Sequence, residues 1–174
     1  MSLTLNIPTV ETERLILRNY RESDLDAVAA FNQTERSHWI GGPKNRHECW
    51  RVIIGIIGHW ALRGYGLWMI EEKATGKQAG AAGIIHHEGW GEPELGWHLY
   101  DGFEGKGIAY EAALAARTYA AQNFGITAPI SHIDPENTRS IALAKRLGAT
   151  YERDGEVIGH ACHIYRHPVT EAAA

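Results

Sequence analysis

Along the chain the apolar positions change period several times, and each change marks an element. Leu15-Ile16-Leu17, held between Arg14 and Arg18, reads as a first strand over residues 14–18. Leu25, Val28, Ala29 and Phe31 then follow helical spacing, with Ser23 or Asp24 as the cap and Asp26 in the first turn. After the Gly41-Gly42-Pro43 break, residues 45–62 read as a second helix, in which Gly55 and Gly58 are unfavourable. Residues 66–72 and 80–86, rich in aliphatic and aromatic side chains, form a hairpin about a turn at 73–77. A charged, glycine-rich loop at 88–93 leads into a strand over 94–100.

A long alanine-rich run over 108–123 follows, presenting Ile108, Ala112, Ala115 and Tyr119 on one face and stopped by Gly125. Residues 128–133 form a short strand. Asn137 caps a helix carrying Ile141, Ala144 and Leu147 that ends at Gly148. Residues 150–153 and 157–165 close the chain as a hairpin around Asp154-Gly155. Strands and helices interleaved in this order predict a mixed sheet with helices on its faces. With 174 residues, a single domain over 1–174 with flexible extreme termini is expected.

Charge adds mainly exclusions. The 17 basic and 21 acidic residues leave a net charge of −4, so nothing global favours nucleic acid or an anionic membrane. No apolar run approaches the roughly 20 residues of a membrane helix, and residues 1–10 lack a signal-peptide pattern. Cys49 and Cys162 suggest neither a disulfide framework nor a metal site, and His160, Cys162 and His163 lack a fourth ligand. A cytoplasmic, metal-free protein is expected.

The chemistry concentrates at Glu104-Gly105-Lys106-Gly107-Ile108-Ala109, between the strand at 94–100 and the long helix. A glycine-rich turn opening a helix leaves backbone N–H groups unpaired, and the helix dipole adds positive potential there. Glycine keeps side chains from blocking that approach. The turn predicts a phosphate-bearing ligand.

Four segments in order carry a family resemblance. They are Glu11-Thr12-Glu13-Arg14-Leu15-Ile16-Leu17-Arg18, Glu94-Leu95-Gly96-Trp97-His98-Leu99, the glycine turn with Glu111, and Asn137-Thr138-Arg139-Ser140 running to Lys145-Arg146-Leu147-Gly148. The chain resembles the GCN5-related N-acetyltransferase (GNAT) superfamily, in particular its branch of ribosomal-protein N-terminal acetyltransferases. The resemblance implies an α/β (α+β) fold, with a mixed, mostly antiparallel central sheet, splayed central strands and flanking helices. It implies direct transfer of acetyl from acetyl-CoA to a primary amine, of a small molecule or a peptide N-terminus, in a ternary complex. A homodimer is also implied.

By the same resemblance the pantetheine arm lies between strands 94–100 and 128–133, meeting Trp97, His98 and Leu99 through backbone, with Asn137 as a further contact. Glu104, Gly105, Lys106, Gly107, Ile108 and Ala109 form the diphosphate turn. Gly107 and Ala109 match the family pattern, whereas Glu104 stands where Gln or Arg is usual. Glu94 matches a catalytic glutamate and is the expected base, through water; the plainer reading is a strand-end carboxylate. The tyrosine that protonates the leaving thiolate in many relatives corresponds to Ala144, so Ser140 is the nearest polar candidate, or simply a first-turn serine. His86, His87 and Glu88 either line the acceptor pocket or face solvent. Trp39 and Trp60 sit in the two early helices, which by the resemblance cover it, and core packing is the preferred reading for both. These departures leave a second reading, a non-catalytic coenzyme-A-binding module.

Overall fold

The computed structural model describes residues 5–172; the expected flexible extreme termini fall on residues 1–4 and 173–174, outside that range. Eight strands form one sheet in the order β1-β2-β3-β4-β5-β6-β8-β7. They are β1 (Val10–Glu11), β2 (Leu15–Arg18), β3 (Leu67–Glu72), β4 (Gln78–Ile85), β5 (Glu94–Leu99), β6 (Ile130–Ile133), β7 (Thr150–Val157) and β8 (His160–Arg166). Neighbours run antiparallel except β5 and β6. The helices are α1 (Leu25–Asn32), α2 (Arg46–Arg63), α3 (Ile108–Phe124) and α4 (Thr138–Arg146).

Strand alternation sends side chains to two layers. On one face Leu15, Leu17, Trp68, Ile70, Ala82 and Leu95 pack with Ala112, Ala113, Ala116 and Ala120 of α3. Small alanines let that helix lie close to the sheet. On the other face Met69, Ala81 and Tyr100 pack with Val28 and Phe31 of α1 and with Cys49 and Ile53 of α2.

Helix α2 persists through Gly55 and Gly58. Each glycine costs about 1 kcal/mol, but burial of Cys49, Ile53 and Trp60 contributes about 1.5–3 kcal/mol for each large side chain. Asn45 and Glu48 add a reciprocal cap, Oδ1 accepting from the Glu48 amide at 3.0 Å and Glu48 Oε2 from the Asn45 amide at 2.7 Å.

Three local expectations are corrected. Neither Ser23 nor Asp24 caps α1 through its side chain; Asp24 is buried and accepts from Arg18 Nη1 and Nη2, both at 2.8 Å. Pairing an arginine fork outweighs an exposed cap for a carboxylate already out of water. The last hairpin turns at residues 158–159, and Gly155 lies within β7, where an added Cβ would come 2.5 Å from Ile164 Cδ1. Trp39 lies on a 3-10 turn (Glu35–Ile40), not on a helix covering the sheet, while Trp60 is core and donates from Nε1 to the Leu67 carbonyl at 2.8 Å.

Candidate functional site

The parallel ladder between β5 and β6 consists of the single pair Glu94 and Ile130, where the Ile130 amide donates to the Pro93 carbonyl at 3.2 Å. One residue further, the Ser131 hydroxyl donates to the Leu95 carbonyl at 2.7 Å. Beyond that bond the strands part. The Tyr100 amide donates to the Ala79 carbonyl, which with the register puts the backbone groups of Glu94, Gly96 and His98 on β4. Leu95, Trp97 and Leu99 therefore turn their backbone groups into the gap. The Leu99 carbonyl accepts from Arg36 Nη2 at 2.7 Å.

Of the three strand residues expected to meet a pantetheine arm, Trp97 and Leu99 thus offer backbone to the opening, and His98 pairs its backbone with β4 instead. The His98 ring stacks on Phe31 at 5.3 Å. Burial, assisted by the Arg36 charge, pushes its pKa down to about 4, so it is neutral at pH 7.

A buried polar chain braces the apex of the gap. Ser131 Oγ lies 2.9 Å from His167 Nε2, and Arg117 Nη1 lies 3.3 Å from His167 Nδ1 and 2.7 Å from the Leu147 carbonyl. With the Ser131 proton given to Leu95, His167 donates from Nε2 and accepts at Nδ1. Burial, then the Arg117 charge, hold His167 at about 4.

At the mouth of the gap, Gly105 and Gly107 adopt φ of 73° and 77°, a region L side chains avoid. The amides of residues 105–110 find no partner among the described residues; they are the donors an anion would take. Glu104, the departure from the family pattern, is turned aside. Its Oε2 accepts from the Gly102 amide at 2.8 Å and its Oε1 pairs with Arg36, which also pairs with Asp101 at 2.5 Å. Lys106 lies over the Phe103 ring, Nζ 5.7 Å from the centroid, and Ile108 is buried in the α3 core. Ala109 is in the first turn of α3.

On the α1/α2 side, Glu94 is buried, with Oε2 lying 2.6 Å from His132 Nδ1 on β6. Burial raises its carboxyl pKa, and the His132 ring, charge and backbone amide oppose that rise. Trp90 meets the His132 ring edge-on at 5.3 Å and the His87 ring at 4.9 Å. His59 accepts at Nε2 from the His86 amide at 3.0 Å, so its Nδ1 donates to the Tyr65 carbonyl at 2.8 Å. Burial lowers the pKa of both His59 and His87. His86 is half-buried in this cluster; His87 meets Trp90 edge-on but is exposed, as is Glu88.

On α4, Asn137 Oδ1 accepts from the Ser140 amide at 3.2 Å. The Ser140 hydroxyl makes no hydrogen bond among the described residues. Ala144 is fully buried with Ile133, Ala149 and Tyr165, which fill the space about it.

Motif reading passed over Arg36, Ser131, His132, His167 and Arg117. Each acts through residues far away in the chain; the one signal available was strand alternation, which places His132 on the same face as Ile130.

Comparison with known proteins adds the following. A family model described as "Acetyltransferase (GNAT) domain" matches residues 14–150. A crystal structure of an acetyltransferase from Agrobacterium tumefaciens str. C58 superposes with a TM-score of 0.86 at 36% identity, covering 97% of this chain and 98% of that one. The [ribosomal protein uS5]-alanine N-acetyltransferase of Escherichia coli (strain K12) is 26% identical over 86% of this chain and 82% of its own length. The structure of RimL, a ribosomal L7/L12 α-N-protein acetyltransferase, in complex with coenzyme A shares the fold, with a TM-score of 0.76 at 21% identity over 93% of this chain and 98% of that one.

Proposed function

The chain belongs to the GNAT acetyltransferase family, a family of acyltransferase enzymes, and we propose that it moves an acetyl group from acetyl-CoA to a primary amine by direct attack. One observation carries this reading: a parallel ladder that closes at Glu94 and Ile130 opens beyond the Ser131–Leu95 bond, where the backbone of Trp97 and Leu99 faces the gap unpaired with β6. The fit to acetyl-CoA rests on chain chemistry: unpaired amides over residues 105–110 and glycines at positive φ suit a diphosphate, and a free strand edge suits the amides of pantetheine.

In the reaction a neutral amine attacks the thioester carbonyl, the C–N bond forms, and the C–S bond breaks. Glu94 takes the proton lost by the amine, through water, and its raised pKa strengthens it as a base. Ser140 hydrogen-bonds the departing sulfur. Asn137 caps α4 and offers its amide nitrogen to the arm. An α-amine, with a pKa of roughly 8, is partly neutral near pH 7, whereas a lysine amine at about 10.4 is not. A peptide N-terminus or a small amine of similar pKa is the favoured acceptor.

The test is an acceptor screen read by thiol release, with an N-terminal peptide series beside simple amines. Steady release of coenzyme A that depends on the amine is expected. Affinity for acetyl-CoA without turnover on any amine would make the chain a binding module instead.

A further inference from the structure

The acceptor face holds one contact that the reaction above leaves unused, and it lies where the sheet opens. Glu94 is the last β5 residue paired with β6. His132, two residues beyond its partner Ile130, shares Ile130's face. Their side chains meet, Nδ1 to Oε2 at 2.6 Å, with only 9% and 12% of side-chain surface exposed. The other carboxylate oxygen has no hydrogen bond among the described residues. It lies over Gly96: a Cβ added there would be 3.9 Å from Glu94 Oε1 and 3.0 Å from Ile85 Cδ1. The edge of Trp90 against His132 fixes the ring.

We propose that His132 is the positioning residue of the acceptor site: by holding Glu94 Oε2 through Nδ1–H, it keeps Oε1 beside Gly96 and the Ile85 side chain, aimed to take the acceptor's proton through water. The inference rests on Glu94 being the base of the proposed acetyltransferase. A carboxylate removed from water keeps one rotamer only while a donor satisfies it. His132 supplies that donor from β6, so the aim of the base is tied to the strand across the opening. The other titratable groups near the pair come from separate elements. Cys162 of β8 feels the Glu94 charge, and His87 and His86 come from the loop after β4. His59 and Arg63 come from α2, where Arg63 acts on His59 and His87. None of them donates to Glu94, so none replaces His132.

The experiment compares kcat, KM and their pH profiles for the native chain, E94Q, H132N, H132Q and H132L, on an amine that turns over. Asparagine places an N–H where histidine Nδ1–H was; glutamine places it near Nε2. H132L and H132Q are expected to lose at least ten-fold in kcat and to shift the acid limb to higher pH, because the carboxylate has lost the donor that lowered its pKa. KM for acetyl-CoA should stay within two-fold, and H132N should recover most of kcat and the native limb. Should H132L fail to fold, the contrast between H132N and H132Q decides. A native-like profile in H132L and H132Q, or an H132N as impaired as H132Q, overturns the positioning role alone when E94Q is slow. A fully active E94Q removes the base and the inference with it, and a native chain without turnover on any amine overturns both.

Discussion

Arg14 Nε donates to Glu111 Oε2 at 2.7 Å, while Arg14 Nη1 donates to the Lys106 carbonyl at 2.9 Å. One guanidinium, just before β2, thus ties the first turn of α3 to the glycine turn that precedes it. Glu111 also accepts from Thr12 Oγ1 at 2.5 Å and from the Arg14 amide at 3.0 Å. Burial would raise its pKa, but these donors and the Arg14 charge together lower it. The opening motif of the chain and its diphosphate turn are parts of one structure.

From that pairing, R14A should disorder the turn more than the fold. The Arg14 side chain is about half exposed, at 47%, so the pair contributes about 1 kcal/mol or less, a loss of roughly 2–4 °C in Tm. Affinity for coenzyme A should fall about five-fold, with kcat at saturation little changed. Calorimetry beside thermal melts checks this. A melt shift with native affinity would reduce Arg14 to a surface tie.

Much of this arrangement was legible in the sequence, and the unread parts share a cause. Helix α3, its glycine stop and the hairpin over β3 and β4 follow from period and turn residues, which are local signals. Strand β1 was not read, because two residues held only by Val10 and Leu17, and Glu11 and Ile16, carry no period of their own. The last turn was misplaced because Asp-Gly at 154–155 is a hairpin signal, but Gly155 is needed as the gap that admits Ile164. Glu94 and Ser140 came from motif position. Their surroundings did not, since His132 meets Glu94 from 38 residues away and Arg36 meets Glu104 from a different layer of the fold.

Glu104 places an acid beside the turn proposed for a diphosphate, and Arg36 holds it aside. E104Q keeps an oxygen for the Gly102 amide, removes the charge and leaves Arg36 one acid fewer. Coenzyme A affinity should rise about three- to ten-fold, and more at low salt than at high, because exposed charges are screened. R36A should act in the opposite direction, freeing the Glu104 carboxylate and the Leu99 carbonyl together. Titrations at two ionic strengths separate the cases; an E104Q that binds no more tightly would show that its charge never reaches the ligand.

Ser140 offers a hydroxyl with no hydrogen-bond partner among the described residues, while its amide is already capped by Asn137. S140A therefore leaves α4 intact. It should slow the chemical step about ten-fold and leave acetyl-CoA affinity within two-fold. Single-turnover kinetics against equilibrium binding is the measurement. Equal losses in both would make Ser140 a binding residue, and no loss in either would leave thiolate protonation to solvent.

Stability should respond to pH through His167, because the apex of the gap is built on its neutral ring. Its pKa is held at about 4 in the folded chain against about 6.5 unfolded. A base whose folded pKa is depressed contributes fully above the unfolded value. That contribution declines as pH falls from about 6.5 towards 4, where the unfolded chain takes up a proton and the folded chain does not. The loss for His167 is at most about 3 kcal/mol, and His98, also near 4, acts in the same window. Asp24, Glu92 and Glu111, whose pKa values are lowered in the fold, lose their contribution as pH falls through and below the ordinary carboxylate range, from about pH 5 downward. H167Q keeps a donor for Ser131 but cannot titrate. Its unfolding free energy should start lower at pH 7.5 and fall less steeply to pH 4.5 than that of the native chain, in urea titrations across that range. Parallel slopes for the two proteins would mean that His167 takes up its proton in the fold as readily as outside it, and that the Arg117–His167–Ser131 chain does not brace the opening between β5 and β6.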